Sequence, residues 1–307
     1  MKTADRSGLS VMLAAIVSHT LWGLSFMASR TALNTAPVFV LLSHRFLIAF
    51  VLMTLLPHDR SELRRISGKQ RLTLLLLGLS EPVIYFIAEQ YGLLHSNTIF
   101  SGVMIALIPV VSTLAAAPLL KERPTARQLI FSLVSMGGVI GVGLLSGSSG
   151  TLDAIGILGL TVAVISASGY TLLSRSMAGK VSAYTRTHTM MGLGALIFTA
   201  LALVQCRDDL SAYVRPLAEP SYLLSMLFLA VFCSVLCYFL LGFIIEKLTV
   251  AQETVFSNLT TAVSVFAGAV FLHEPFSWLS LGFCVLILLG IYGVQRGGRT
   301  KADSPRE

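Results

Sequence analysis

The chain has 307 residues, with 22 Lys+Arg against 15 Asp+Glu and 55% hydrophobic residues, and its mean hydropathy is +0.81. Only 12% of the residues are charged, about half the share of a soluble domain, which is too little to coat a water-facing surface of this size. A soluble enzyme is excluded. The apolar residues come in blocks of about twenty, the length that crosses a bilayer as helix. The chain also lacks the ten-residue alternating strands of a membrane barrel. An all-α integral membrane protein is predicted.

Ten spans follow in chain order. The first is Leu9 to Ala28, too long for a signal-peptide core and without a clear cleavage site. Pro37 to Leu56, Leu72 to Leu94, Ile99 to Leu120 and Leu129 to Leu145 complete a first group of five. Ala154 to Leu173, Thr187 to Val204, Tyr222 to Ile245, Val250 to Leu272 and Phe276 to Val294 form a second. Residues 9–147 and 154–294 are therefore expected to be two five-helix units, and residues 295–307 a disordered cytoplasmic tail. No connection is long enough for a soluble domain.

The basic residues set an orientation. With the N-terminus inside, 18 of the 22 Lys+Arg lie on the cytoplasmic side, Arg175, Lys180 and Arg186 among them. Only Arg30, Arg207 and Arg215 fall outside, and Arg45 lies within a span. That bias predicts a plasma-membrane protein with both termini cytoplasmic. The scattered positive charge fits membrane orientation rather than nucleic acid.

Shifting the chain by 152 residues aligns Leu107–Val142 with Leu259–Val294 at 12 identities in 36 positions. Leu120 and Glu122 meet Leu272 and Glu274, and Gly138 and Gly141 meet Gly290 and Gly293. A duplication is read from this match. Five is odd, so the second copy enters the membrane upside down. The charges agree, since Lys121, Arg123 and Arg127 have no basic counterpart around His273 and Glu274.

Trp22-Gly23 in span one, Arg45 after Pro37, Pro109 in span four, the Leu119–Arg123 stretch and the Gly137–Gly143 run together resemble an EamA-type domain. Two such domains are similar to the ten-helix branch of the drug/metabolite transporter superfamily. The second copy departs from the first, with Thr261 matching Pro109 and Cys233 matching Glu81. The resemblance implies secondary transport, mostly export, of small metabolites, amino acids or drugs.

Only Arg45, Glu81, Glu89 and Glu253 are charges within spans, where each costs at least about 2.5–3.5 kcal/mol near the bilayer centre. Glu81 is nearly central and is followed by Pro82, which removes a backbone donor. Glu81, Tyr85 and Glu89 are four apart, predicting one helical face. That face is read as a proton or cation site, against the alternative of a structural ion pair between Glu81 and Arg45. Arg45 is read as a structural charge, and Glu253 as interfacial. His19, Trp22, Tyr170, Tyr238 and Asn258 are the neutral candidates for a cavity near the midplane, where rings beside an acid suit a cationic amine.

The expected partners are a small-molecule substrate, protons and the bilayer, with no nucleic acid. No cofactor or metal is expected. The Gly137–Gly143 run follows no strand and reads as helix packing rather than a dinucleotide loop. The chain has no phosphate-binding GxxxxGK[ST], no Gly-x-Ser-x-Gly elbow and no His-Glu-x-x-His helix, so the energy source is expected to be a gradient. A facilitator and a membrane receptor or scaffold are the alternatives. The cysteines Cys206, Cys233, Cys237 and Cys284 lack metal spacing and are expected to pack as apolar residues.

Overall fold

A computed structural model describes residues 2–56, 62–120, 125–148, 150, 152–177, 179–247 and 250–297. Among these, regular structure is helical throughout. The first half comprises α1 (Lys2–Leu33), α2 (Val38–Leu55), the single turn α3 (Glu62–Arg65), α4 (Gly68–Gly78), a π-helical segment Leu79–Ile84, α5 (Tyr85–Leu94), α6 (Thr98–Ile105), α7 (Ile108–Leu120) and α8 (Ala126–Ser148). The second half comprises α9 (Ala154–Met177), α10 (Ala183–Gln205), the short α11 (Ser211–Val214), α12 (Pro220–Leu227), a π-helical segment Phe228–Leu236, α13 (Cys237–Lys247), α14 (Val250–Phe271) and α15 (Trp278–Gly297). Among the described residues seven stretches are long and apolar enough to cross a membrane. Shorter apolar helices occupy Thr98–Ser112, Phe256–Phe271 and Trp278–Gly293.

Two prolines set the breaks in the first half. A proline ring collides with the carbonyl four residues earlier. Pro82 and Pro109 therefore end their helices at Gly78 and Ile105, where α4 and α6 stop. Span four, expected as one helix, is consequently two. Thr261, the match of Pro109, carries no such ring, and α14 runs unbroken. The second π-helical segment contains no proline, so its wide turn belongs to the architecture rather than to one residue. Helix starts follow local chemistry: Ser67 and Gln70 form a reciprocal capping box, while Asn97 and Ser182 accept from Phe100 and Thr185 N–H groups.

The halves interlock as exchanged pairs. α2 packs along α10 and α8 along α15, while α1 packs on α14 and α9 on α7. At the α8–α15 crossing the contacts are reciprocal. A Cβ on Gly138 would meet the Phe283 carbonyl and Ile287, and one on Gly290 the Phe131 carbonyl and Ser135. Gly141 faces the Phe283 ring and Gly293 the Phe131 ring. Each of these contacts becomes another of them when 152 is added to one residue and subtracted from the other, and the two helices run antiparallel. The glycine run is thus close helix packing, since no side chain fits between these backbones.

Several boundaries differ from expectation: α1 runs from Lys2 to Leu33 rather than from Leu9 to Ala28, α4 begins at Gly68 rather than Leu72, and α9 ends at Met177 rather than Leu173. α10 begins at Ala183 rather than Thr187 and takes Arg186 out of the connecting loop, because Ser182 caps the helix there. α15 continues to Gly297, three residues into the stretch expected to be disordered, and residues 298–307 lie outside the described residues. So do residues 121–124, with Lys121, Glu122 and Arg123, and the side chain of Glu253.

Candidate functional site

The two π-helical segments bring the charged residues together. At Glu81 the backbone leaves the helix (φ −139°, ψ 118°). Glu81 is therefore not in continuous helical register with Tyr85 and Glu89, which corrects the single face expected from the spacing. Tyr85 and Glu89, both on α5, do keep that register: Tyr85 Oη donates to Glu89 Oε1 at 2.8 Å, and Gln90 Nε2 donates to Oε2 at 2.8 Å. Glu81 accepts a hydrogen bond from the hydroxyl of Tyr238 on α13. Glu81, Tyr85, Glu89 and Tyr238 are all buried.

Arg45 is buried on α2 at 2% exposure. Its Nε donates to Ser234 Oγ at 2.8 Å, and its guanidinium lies 4.3 Å from the Phe86 ring centroid. Its hydrogen bond goes to the hydroxyl and its face to the ring. The proposed Glu81–Arg45 ion pair is not formed among the described residues.

On the other side of Tyr238 lies Trp22, ring centroids 5.8 Å apart, edge to face. Trp22 Nε1 donates to the Cys233 carbonyl at 3.2 Å, within the second π-helical segment. Such a segment leaves carbonyls out of the ordinary helix ladder, and the first segment is used likewise: Ser166 Oγ donates to the Ser80 carbonyl at 2.7 Å. His19 meets Trp22 edge to face, ring centroids 5.5 Å apart, and its Nδ1 pairs with Thr260 Oγ1 at 3.1 Å. Tyr170, partly buried on α9, packs against the core cluster that holds Tyr85 and Tyr238. Asn258 is partly buried on α14, with a buried Oδ1 that has no hydrogen-bond partner, and among the described residues no hydrogen bond joins it to this cluster. Trp22, Tyr85, Tyr170, Tyr238, Glu81 and Glu89 thus converge, His19 borders them, and Asn258 stands apart.

Spacing missed three residues. Ser234 anchors Arg45, Gln90 holds Glu89, and Arg186, read as a loop cation, is buried at 6% exposure. Among the described residues no group of three His, Cys, Asp or Glu is placed to hold a metal. All four cysteines are buried and free.

A separate cavity of about 570 Å³ opens at the helix ends, lined by Arg30, Asn97, His95, Asp153, Glu274 and neighbours. Its walls are the α1–α2, α5–α6, α8–α9 and α14–α15 connections, which the ten-span reading places on one membrane face. Glu274 caps α6 across the halves, accepting from Thr98 N at 2.7 Å and Ile99 N at 2.9 Å. Arg30 Nη1 donates to the Leu93 carbonyl at 2.7 Å at the end of α5. His95 Nδ1 meets Asp153 Oδ2 at 2.8 Å. Asp153 also accepts from Gly156 N–H at 3.0 Å. That bond and the His95 contact hold its carboxyl below the usual range.

Apolar helices long enough to span a bilayer, broken in two places around buried acids and aromatic rings, are the build of a multi-pass membrane transporter. The comparisons with known proteins agree. The EamA-like transporter family matches residues 9–144 and again 154–296, and the chain belongs to that family. It is 31% identical to the uncharacterized transporter YcxC of Bacillus subtilis, covering 95% of each chain. It is 26% identical to an uncharacterized transporter of Archaeoglobus fulgidus, over 93% of this chain and 98% of that one. A probable terminal-alkyne amino-acid exporter of Streptantibioticus cattleyicolor is 24% identical, over 95% and 96%. A solved crystal structure superposes with a TM-score of 0.60 at 17% identity, covering 92% of this chain and 96% of its own, a likeness of fold alone. The protein is a transporter and not an enzyme.

Proposed function

We propose that the protein is a proton-coupled secondary exporter of a small metabolite, with Glu81 as the group that takes a proton or a cationic substrate but not both. In this reading the chain makes ten spans as two inverted five-helix units, with both termini in the cytoplasm and the protein in the plasma membrane. The substrate cavity lies near the midplane between the units, bordered by Trp22, Tyr85, Tyr170 and Tyr238. One observation carries the reading: Glu81, at a break in its helix, is bonded across the halves by Tyr238 and not by a cation. A carboxyl removed from water and given only a neutral partner is not held permanently as an anion. Exchange of proton for substrate at one site links the two fluxes without further parts. The naming of one relative as an amino-acid exporter supports efflux of an amine-bearing metabolite.

Glu81→Gln keeps shape and hydrogen bonding but removes the titratable proton. In proteoliposomes it is expected to fold and to lose accumulation driven by a pH gradient down to the level of empty vesicles. Undiminished, pH-dependent accumulation by a well-folded variant rejects the coupling role.

A further inference from the structure

α6 starts with its first three N–H groups taken up, and two of the three acceptor atoms belong to the other half of the chain. Thr98 N donates to Glu274 Oε1 at 2.7 Å and Ile99 N to Oε2 at 2.9 Å, while Phe100 N donates to Asn97 Oδ1 at 2.7 Å. The opening N–H groups of a helix have no partner within it and form its positive end, so a carboxylate spread over two of them is held by charge as well as by hydrogen bonds. The chain is built to deliver that carboxylate. His273 takes the left-handed conformation (φ 53°) that ends α14, and Glu274 N closes that end by donating to the Gly268 carbonyl at 3.0 Å. Gly268 leaves the space: a Cβ there would stand 2.6 Å from Glu274 Oε2 and 2.9 Å from Ile99 Cγ1.

Opposite charges grip the two sides of the α5–α6 corner. Arg30, near the end of α1, donates to the Leu93 carbonyl at the closing end of α5, where a cation is favoured, and Glu274 holds the opening end of α6, where an anion is. Below the corner α6 and α14 stay in contact, with Thr261 Oγ1 donating to the Gly102 carbonyl at 3.4 Å. Thr261 is buried about 15 Å below Phe271, the outer end of α14, and its neighbour Thr260 bonds His19 at the border of the candidate site. The α6–α14 contact thus stands between the site and the outer face, with Glu274 as the charged tie at its rim. An exporter must open that side to release what it carries. We propose that Glu274 is the outer latch of the transport cycle, a carboxylate that ties the two halves shut at α6 and lets go when the exit opens. The inference takes the outer placement of this face from the proposed topology and is independent of the role of Glu81.

The test places one cysteine at Thr261 in the full-length protein without its four native cysteines and times its reaction with an impermeant thiol reagent, on intact cells and on inside-out vesicles. It needs neither substrate nor gradient. Glu274→Gln leaves one oxygen for two donors and removes the charge, so labelling in intact cells is expected to quicken about tenfold, the population shift that follows from losing a charged hydrogen bond. Gly268→Ala, whose methyl displaces the carboxylate without changing its charge, is expected to quicken it as well. Met190→Cys, buried on α10, which packs along α2, is the control and is expected to stay at its slow rate in both variants. Unchanged labelling at 261 in Glu274→Gln overturns the proposal. So does equal quickening at 190, which makes Glu274 a prop of the fold rather than a latch. Quickening at 261 in inside-out vesicles and not in cells keeps the latch and rejects the outer placement, a failure of the topology alone. Should Glu274→Gln not fold, Gly268→Ala decides, and unchanged labelling in it overturns the proposal.

Discussion

Tyr238 bonds to Glu81, while Arg45 spends its Nε on Ser234 and its face on Phe86. Glu81 and Arg45, two of the buried charged residues, are therefore satisfied separately, and each consequence can be measured. Tyr238→Phe leaves a buried carboxyl oxygen without its donor, a loss expected to cost about 1–3 kcal/mol in unfolding assays. Glu81→Gln leaves no orphaned cation, so it is expected to stay within about 1 kcal/mol of the wild type, well short of the roughly 3–5 kcal/mol for breaking a buried ion pair. A loss of that larger size would show that Arg45 depends on Glu81 after all. Which residues are buried charges was legible, because a charge inside an apolar block is conspicuous. Their partners were not, because Ser234 and Tyr238 lie more than 150 residues away and carry no local signal.

Two elements deserve a test at their joints. Gly138→Ala and Gly290→Ala each push a Cβ to within 3 Å of backbone atoms across the α8–α15 crossing. Overpacking of this kind costs about 1–3 kcal/mol. The two losses are expected to be similar in size, and less than additive when combined, because once α8 and α15 have separated the second methyl has room. Gly137→Ala, which would meet nothing, is the control and is expected to be neutral or mildly stabilising. Asp153, which caps α9, makes a pH-dependent contribution. Its folded carboxyl is held below the ordinary value of about 3.9, so its stabilisation is complete above that pH and is lost as pH falls through the folded value. The melting-temperature gap between the wild type and Asp153→Asn should persist at pH 7 and close below about pH 4. Helix ends at Gly78 and Ile105 could be derived from Pro82 and Pro109. The second π-helical segment could not, since nothing in Phe228–Leu236 announces it.

Across the whole molecule, the proposed inverted arrangement makes one prediction about sides. Cysteines placed at Thr125 and Ser277, in a background without the four native ones, should differ in reach: position 277 is labelled by an impermeant thiol reagent from outside the cell, and position 125 is not. The opposite pattern is incompatible with two units of opposed orientation. The reciprocal contacts of α8 and α15 also explain why the repeat was visible in that stretch when much else had drifted. Gly138, Gly141 and Phe131 are each met by a counterpart of one another across the crossing. A change on one side is thus judged by the copy of its own surroundings, and drift there requires a matched second change. Compensation should come in mirror-image pairs. Phe131→Leu should relieve the harm of Gly293→Ala, and Phe283→Leu that of Gly141→Ala, whereas the crossed combinations relieve neither.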